Sequence, residues 1–225
     1  MNALDLAAFS ATALVCQPFE YLIVPGFIRV EARAAINADY PRIENPGSFP
    51  ATELTFGPAF RSLLDALQGP EVRRAFAEKF QIDLTHRPSL ITVRGRCGTR
   101  DGHIHTDAPS KIITALVYMN SRWEQSGGRL RLLRCAQNID DVLVEIPPTE
   151  GTLVAFRRSA NSFHGHKPHI GVRRVIQLNW VTGRGIELRE ICKHRASAWI
   201  KRLVALVRHP LSSPWQAEKS EVAAL

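Results

Sequence analysis

His105-Thr106-Asp107 sets an imidazole and a carboxylate two residues apart. In an extended chain such residues point to the same face, so one metal ion can take both. A second imidazole must come from elsewhere, and His164 lies 57 residues further on (164 − 107). Two histidines and a carboxylate on one side of a metal leave positions open for small molecules. Ten residues after His164 (174 − 164) comes Arg174, inside the apolar run RRVIQLNWV. A charged side chain in such a run needs a partner, and a guanidinium grips a carboxylate with two hydrogen bonds. These residues together predict a metal beside an anionic ligand.

Neighbouring residues compete for some of these roles. His103 shares the facing of His105 but has no carboxylate two residues on, and His166 shares the facing of His164. Arg173 competes with Arg174, since alternation lets only one of them face inward. Arg94 precedes the motif and faces either the mouth of the site or the surface.

The elements that must hold these residues divide the chain. Residues 18–60 are rich in Pro, Gly and aromatics, which predicts short strands and ordered loops. Within them, FEYLIVPGFI reads as a strand ending at Pro25 and EARAAINAD as a short helix. Residues 59–80 show the helical period, with a break at Gly69-Pro70. From residue 88 the pattern becomes eight short β-rich runs separated by turn residues: SLITVRG, GHIHTD, KIITALVYMN, GRLRLLR, DVLVEI, TLVAF, SFHGHK and RRVIQLNWV. This spacing suggests a double-sheet jelly roll or barrel. Residues 186–207 read as an amphipathic basic helix. Packing on the barrel is its preferred reading over contact with a membrane surface. The N-terminus is a short helix or loose end.

Length and composition fit one domain over residues 1–185 with a basic C-terminal helix and tail over 186–225. The N-terminus lacks a leading Lys or Arg, and the four cysteines form no C-x-x-C pair, so reduced thiols in the cytoplasm are expected. The net charge of +8 would suit an anionic partner, but much of the excess lies in the C-terminal tail.

From about residue 88 to 182 the chain resembles the prolyl-hydroxylase-like branch of the iron(II)- and 2-oxoglutarate-dependent oxygenases. The resemblance rests on HTDAPSKIITALVYMNSRWEQSGGRLRLL and GTLVAFRRSANSFHGHKPHIGVRRVIQLNW. These show, in order, the family's H-x-D, a strand ending in Tyr-Met-Asn for Tyr-Leu-Asn, a Trp, a Gly-Gly turn, a Phe strand, a distal His, a Pro and a basic residue on the last strand. The implied fold is mostly β with flanking helices: a double-stranded β-helix (jelly roll, cupin-like) with an N-terminal helical layer and a C-terminal helix. The resemblance makes His105, Asp107 and His164 the Fe(II) ligands. It makes Arg174, or Arg173 by the Gly-Val-Arg pattern, the partner of the 2-oxoglutarate 5-carboxylate, with the Tyr118 hydroxyl in support. The implied cofactors are Fe(II), 2-oxoglutarate as cosubstrate and O2, with ascorbate as a candidate reductant.

The implied activity is a dioxygenase that hydroxylates its substrate while decarboxylating 2-oxoglutarate to succinate and CO2. Related halogenases have a small residue where Asp107 stands, which favours hydroxylation. A small molecule or amino acid is slightly preferred to a protein side chain, and residues 41–58, 96–102 and 135–141 are expected to frame the entrance. The alternatives are a non-catalytic jelly-roll module, a nucleic-acid demethylase and a zinc hydrolase. A demethylase would carry a second Arg six residues after the first; Trp180 and Asn179 stand there, so a nucleic-acid partner is disfavoured. A zinc hydrolase would not need the arginine.

Overall fold

The computed structural model describes residues 3–183 and residue 185. The expected helix over 186–207 and the tail lie outside the described residues. Four helices precede the barrel: α1 (Leu6–Ala11), α2 (Val30–Ala38), α3 (Pro58–Gln68) and α4 (Pro70–Phe80). Gly69 ends α3 and begins α4, and Pro58 and Pro70 each open a helix, where the missing N–H costs nothing. Among the described residues, no helix is long and apolar enough to cross a membrane.

Nine strands follow the predicted order closely. They are β1 (Tyr21–Val24), β2 (Phe49–Pro50), β3 (Ser89–Cys97), β4 (Lys111–Tyr118), β5 (Leu130–Leu133), β6 (Val142–Ile146), β7 (Leu153–Arg157), β8 (His164–Gly165) and β9 (Gly171–Val181). The larger sheet runs β1-β7-β4-β9-β3-β2 and the smaller β6-β5-β8. Every pairing between strands is antiparallel. The expected strand at 102–107 is reduced to a single bridge between His105 and His164. Gly102 at φ +97° and Pro109 bracket this segment and stop a longer ladder.

The larger sheet separates two cores. Its helix-facing side presents Ile113, Ala115 and Val117 of β4 and Ile176, Leu178 and Trp180 of β9 to α3 and α4. Phe76 stacks on Phe9 at 4.6 Å and meets Trp180 at 4.7 Å. Each such aromatic contributes about 1.5–3 kcal/mol on burial. The other side places Leu116, Tyr118, Val154, Phe156 and Val175 against Leu130, Leu132 and Ile146 of the smaller sheet. The helical layer thus stiffens the larger sheet from behind, and the polar site lies between the sheets.

Candidate metal centre

His105 and His164 meet because their backbones pair. His105 N–H donates to the His164 carbonyl at 3.0 Å, and His164 N–H donates to the His105 carbonyl at 2.9 Å. The crossing is tight: a Cβ on Gly165 would lie 2.8 Å from the Gly102 carbonyl oxygen. The two rings come to 4.3 Å, and Phe156 backs His164 at 4.7 Å. Asp107 follows two residues later, so one donor atom from each of His105, Asp107 and His164 lies within 4.8 Å of the others.

The second ring nitrogens orient the histidines. His105 Nδ1 lies 2.8 Å from the His103 carbonyl, and His164 Nδ1 lies 3.0 Å from the Ser162 carbonyl. A carbonyl can only accept, so each Nδ1 carries a proton and Nε2 is left as the ring nitrogen open to a metal. Burial pushes the His164 imidazole down to about 4, against the attraction of Asp107, so the ring is neutral near pH 7. Burial alone would raise the Asp107 carboxyl. The Lys111 ammonium, the His164 ring and hydrogen bonds from Lys111 and Thr114 together hold it below the usual carboxylate range. Two imidazoles and one carboxylate are a fitting donor set for a divalent metal.

The triad lines a cavity of about 170 Å³ between the sheets. Arg173 lines the same cavity and is 5% exposed. Its Nε donates to the Gly128 carbonyl at 2.8 Å, and its guanidinium lies 5.4 Å from the centre of the Tyr118 ring. The Tyr118 hydroxyl is buried and has no hydrogen-bond partner among the described residues. A carboxylate held by Arg173 would give that hydroxyl an acceptor. Arg174 points to the opposite face of β9, over the Tyr40 ring at 5.1 Å, and lines a different cavity. The preference for Arg174 from its spacing therefore fails geometrically: the structure brings Arg173 to the triad.

Residues 95–182 match the family model described as the 2OG-Fe(II) oxygenase superfamily. The matched stretch, which spans β4 to β9 and the triad, is thus similar to a 2OG-Fe(II) oxygenase domain. The fold is similar to that of a prolyl-4-hydroxylase from Pseudomonas putida, at 17% identity over 80% of this chain and 96% of that one, with a TM-score of 0.51. It is similar to a viral collagen prolyl hydroxylase from Paramecium bursaria chlorella virus-1, solved as its 2OG complex, at 18% identity over 74% and 97%, TM-score 0.51. It is also similar to a prolyl hydroxylase from Trichoplax adhaerens complexed with a hypoxia inducible factor peptide fragment, at 18% identity over 72% and 83%, TM-score 0.50. At these identities the likeness is one of fold. No curated protein matches the chain in sequence. The matched family implies Fe(II), 2-oxoglutarate and O2 as cofactors.

Several residues around the triad escaped the sequence reading. Lys111 Nζ donates to Asp107 Oδ1 at 2.7 Å, and the Thr114 hydroxyl donates to Asp107 Oδ2. Thr114 accepts from Asn179 Nδ2 at 2.7 Å, and Asn179 Oδ1 accepts from Gln177 Nε2 at 2.9 Å. This directed chain of donors ends on the carboxylate and fixes its rotamer. Each Asp107 oxygen keeps lone-pair capacity for a metal. The signal was present: Thr114, Gln177 and Asn179 interrupt otherwise apolar strands and, like the arginine, needed partners.

The remaining candidates divide. Arg94 lines the cavity, paired with Asp101 at 2.7 Å and donating to Ser48 Oγ at 3.2 Å. His166 also lines it, with Nδ1 2.8 Å from the Lys167 carbonyl, but stands outside the three-residue cluster. His103 is exposed and outside the cluster. Residues 41–58 and 96–102 supply Ser48, Asp101 and Gly102 to the cavity, whereas none of residues 135–141 lines it.

Proposed function

We propose that a single domain over residues 1–185 holds Fe(II) through His105, Asp107 and His164, and that Arg173, supported by Tyr118, binds the 5-carboxylate of 2-oxoglutarate. The observation that carries this reading is that one donor atom from each of His105, Asp107 and His164 lies within 4.8 Å of the others, with each imidazole Nδ1 committed to a backbone carbonyl. When bound, the metal, 2-oxoglutarate and O2 supply an oxidation that inserts hydroxyl into a substrate C–H bond as 2-oxoglutarate becomes succinate and CO2.

The chain's own residues bind and orient. Thr114 and Lys111 hold Asp107 in place. Arg173, itself buried, supplies a charge-assisted, two-pronged grip for a carboxylate. Val175, Leu116 and Leu130 provide apolar walls that limit access of water.

For the substrate, the reading favours a small molecule or amino acid. The cavity is small, and its lining carries Ser48, Arg94 and Asp101, a hydrogen-bonding set of both signs that suits a polar ligand. A peptide substrate is the second reading, favoured by the peptide complex of the Trichoplax adhaerens structure.

Succinate release from 2-oxoglutarate tests both. The full chain with Fe(II) is offered free amino acids, including proline, and proline-containing peptides. Stimulation above the uncoupled rate by free amino acids alone supports the first reading, and stimulation by peptides alone supports the second. No succinate from folded, iron-loaded protein would overturn the assignment of activity to this site.

A further inference from the structure

Behind β9, on the side away from the metal, a second cavity of about 610 Å³ opens between the loop after β4, α2 and the start of β9. Its volume lies in the range of small-molecule sites, well above that of the triad cavity. It contains a charge without a counter-charge. The Arg174 guanidinium lines the cavity, and among the described residues no carboxylate lies within ion-pair distance of it.

The root of this arginine is fixed. Arg174 N–H donates to Asn120 Oδ1 at 2.7 Å, and Asn120 Nδ2 donates back to the Arg174 carbonyl at 3.1 Å. The Tyr40 ring lies beneath the guanidinium and is itself pinned by its hydroxyl, which donates to the Arg94 carbonyl at 2.8 Å. Burial pushes that hydroxyl up, so it stays neutral and offers Arg174 no negative charge.

Two further features describe what would fit. Asn37 lines the cavity, with Nδ2 committed to Glu150 at 2.7 Å, while its buried Oδ1 has no donor. Part of the lining is apolar. Trp123 packs on His169 at 4.7 Å with its indole N–H already donated to the Gly127 carbonyl, so it offers ring surface only. At the rim stand Ile170, 69% exposed, and Val172, 53% exposed, two of the four exposed large hydrophobics among the described residues. Glu124 also lines the cavity, and it lies 3.6 Å from Arg122 rather than beside Arg174.

We infer that this cavity is a second ligand site, separate from the metal pocket, for a small carboxylate carried on an apolar body. The carboxylate pairs with Arg174, and the apolar body lies against Trp123, Ile170 and Val172. This goes beyond the oxygenase reading and does not depend on it.

The probe is 3-phenylpropionate, titrated calorimetrically into the full chain with its neutral amide as control. A ligand of this size binds measurably by about 10 mM at ordinary efficiency per atom. We expect one site for the acid and none for the amide. Arg174→Gln should weaken binding at least about tenfold, the scale of one lost charge-assisted contact. Val172→Asp, an exposed change that spares the fold, should weaken it as well. Arg173→Gln, in the metal pocket, should leave it within about twofold of wild type. No binding to folded wild type, equal binding to Arg174→Gln, or loss in Arg173→Gln with retention in Arg174→Gln would each overturn the inference.

Discussion

Along β9, Arg173, Val175, Gln177 and Asn179 belong to the metal pocket and its hydrogen-bond chain, whereas Arg174, Ile176, Leu178 and Trp180 face the helical side. The two faces obey different rules. The helical face is packed by dispersion and burial, where volume decides the energy. The metal face is polar, and there the direction of each donor matters more than volume. Adjacent residues of one type, Arg173 and Arg174, therefore have unlike roles.

The largest expected effect breaks the metal face alone. Asp107→Ala should lower 2-oxoglutarate turnover by more than the ~10–100-fold typical of residues one step from a metal. Its circular dichroism should remain that of wild type; full turnover in this variant would remove Asp107 from the site.

On the helical face, Trp180→Ala removes the ring that meets Phe76 and should cost about 3–5 kcal/mol of stability. Denaturant unfolding measures it, and 2-oxoglutarate affinity at low temperature should hold within about threefold, a small effect on the affinity scale. A large loss of affinity in the folded variant would mean that the two faces are not separable.

Thr114→Val keeps the shape of the side chain but removes the hydroxyl that links Asn179 to Asp107. Metal affinity, read by competition with a chelator, should fall about tenfold, while the unfolding midpoint changes less than for Trp180→Ala. Unchanged affinity would reduce the chain of donors to a structural detail.

A further effect concerns acid. Burial pushes the imidazoles of His164 and His166 down to about 4. An unfolded histidine titrates near 6.5, so between about 6.5 and 4 the unfolded chain binds more protons than the folded one. Stability should therefore be complete above that window and fall as pH drops through it. The metal-free melting temperature should decline across this range, less steeply in His166→Phe. A flat profile from pH 7 to 5 would contradict the buried neutral state.

Much of this was legible in the sequence. The runs around Leu64, Phe76 and Val93 carry periods set by local geometry, so helices and strands fell where expected. The gathering of His105, Asp107 and His164 was legible because their types and spacing are chemically restrictive. The choice between Arg173 and Arg174 was harder, because a count from His164 crosses a loop, and a loop carries no facing. Parity within the strand does carry it: Arg174 shares its face with Ile176, Leu178 and Trp180, and Arg173 shares its own with Gln177 and Asn179. The pairing of Val175 with Tyr118 extends that face to β4. The bridge at His105 was also hidden, since it depends on Gly102 and Gly165 crossing from distant segments.

An anaerobic titration with Fe(II) and 2-oxoglutarate, followed by visible absorbance in wild type, Arg173→Gln and Arg174→Gln, tests the central claim most directly. A charge-transfer band requiring both components should appear in wild type. In Arg173→Gln it should need about 10–100-fold more 2-oxoglutarate, and in Arg174→Gln about as much as in wild type. A band weakened by Arg174→Gln and untouched by Arg173→Gln would contradict the assignment of the two faces.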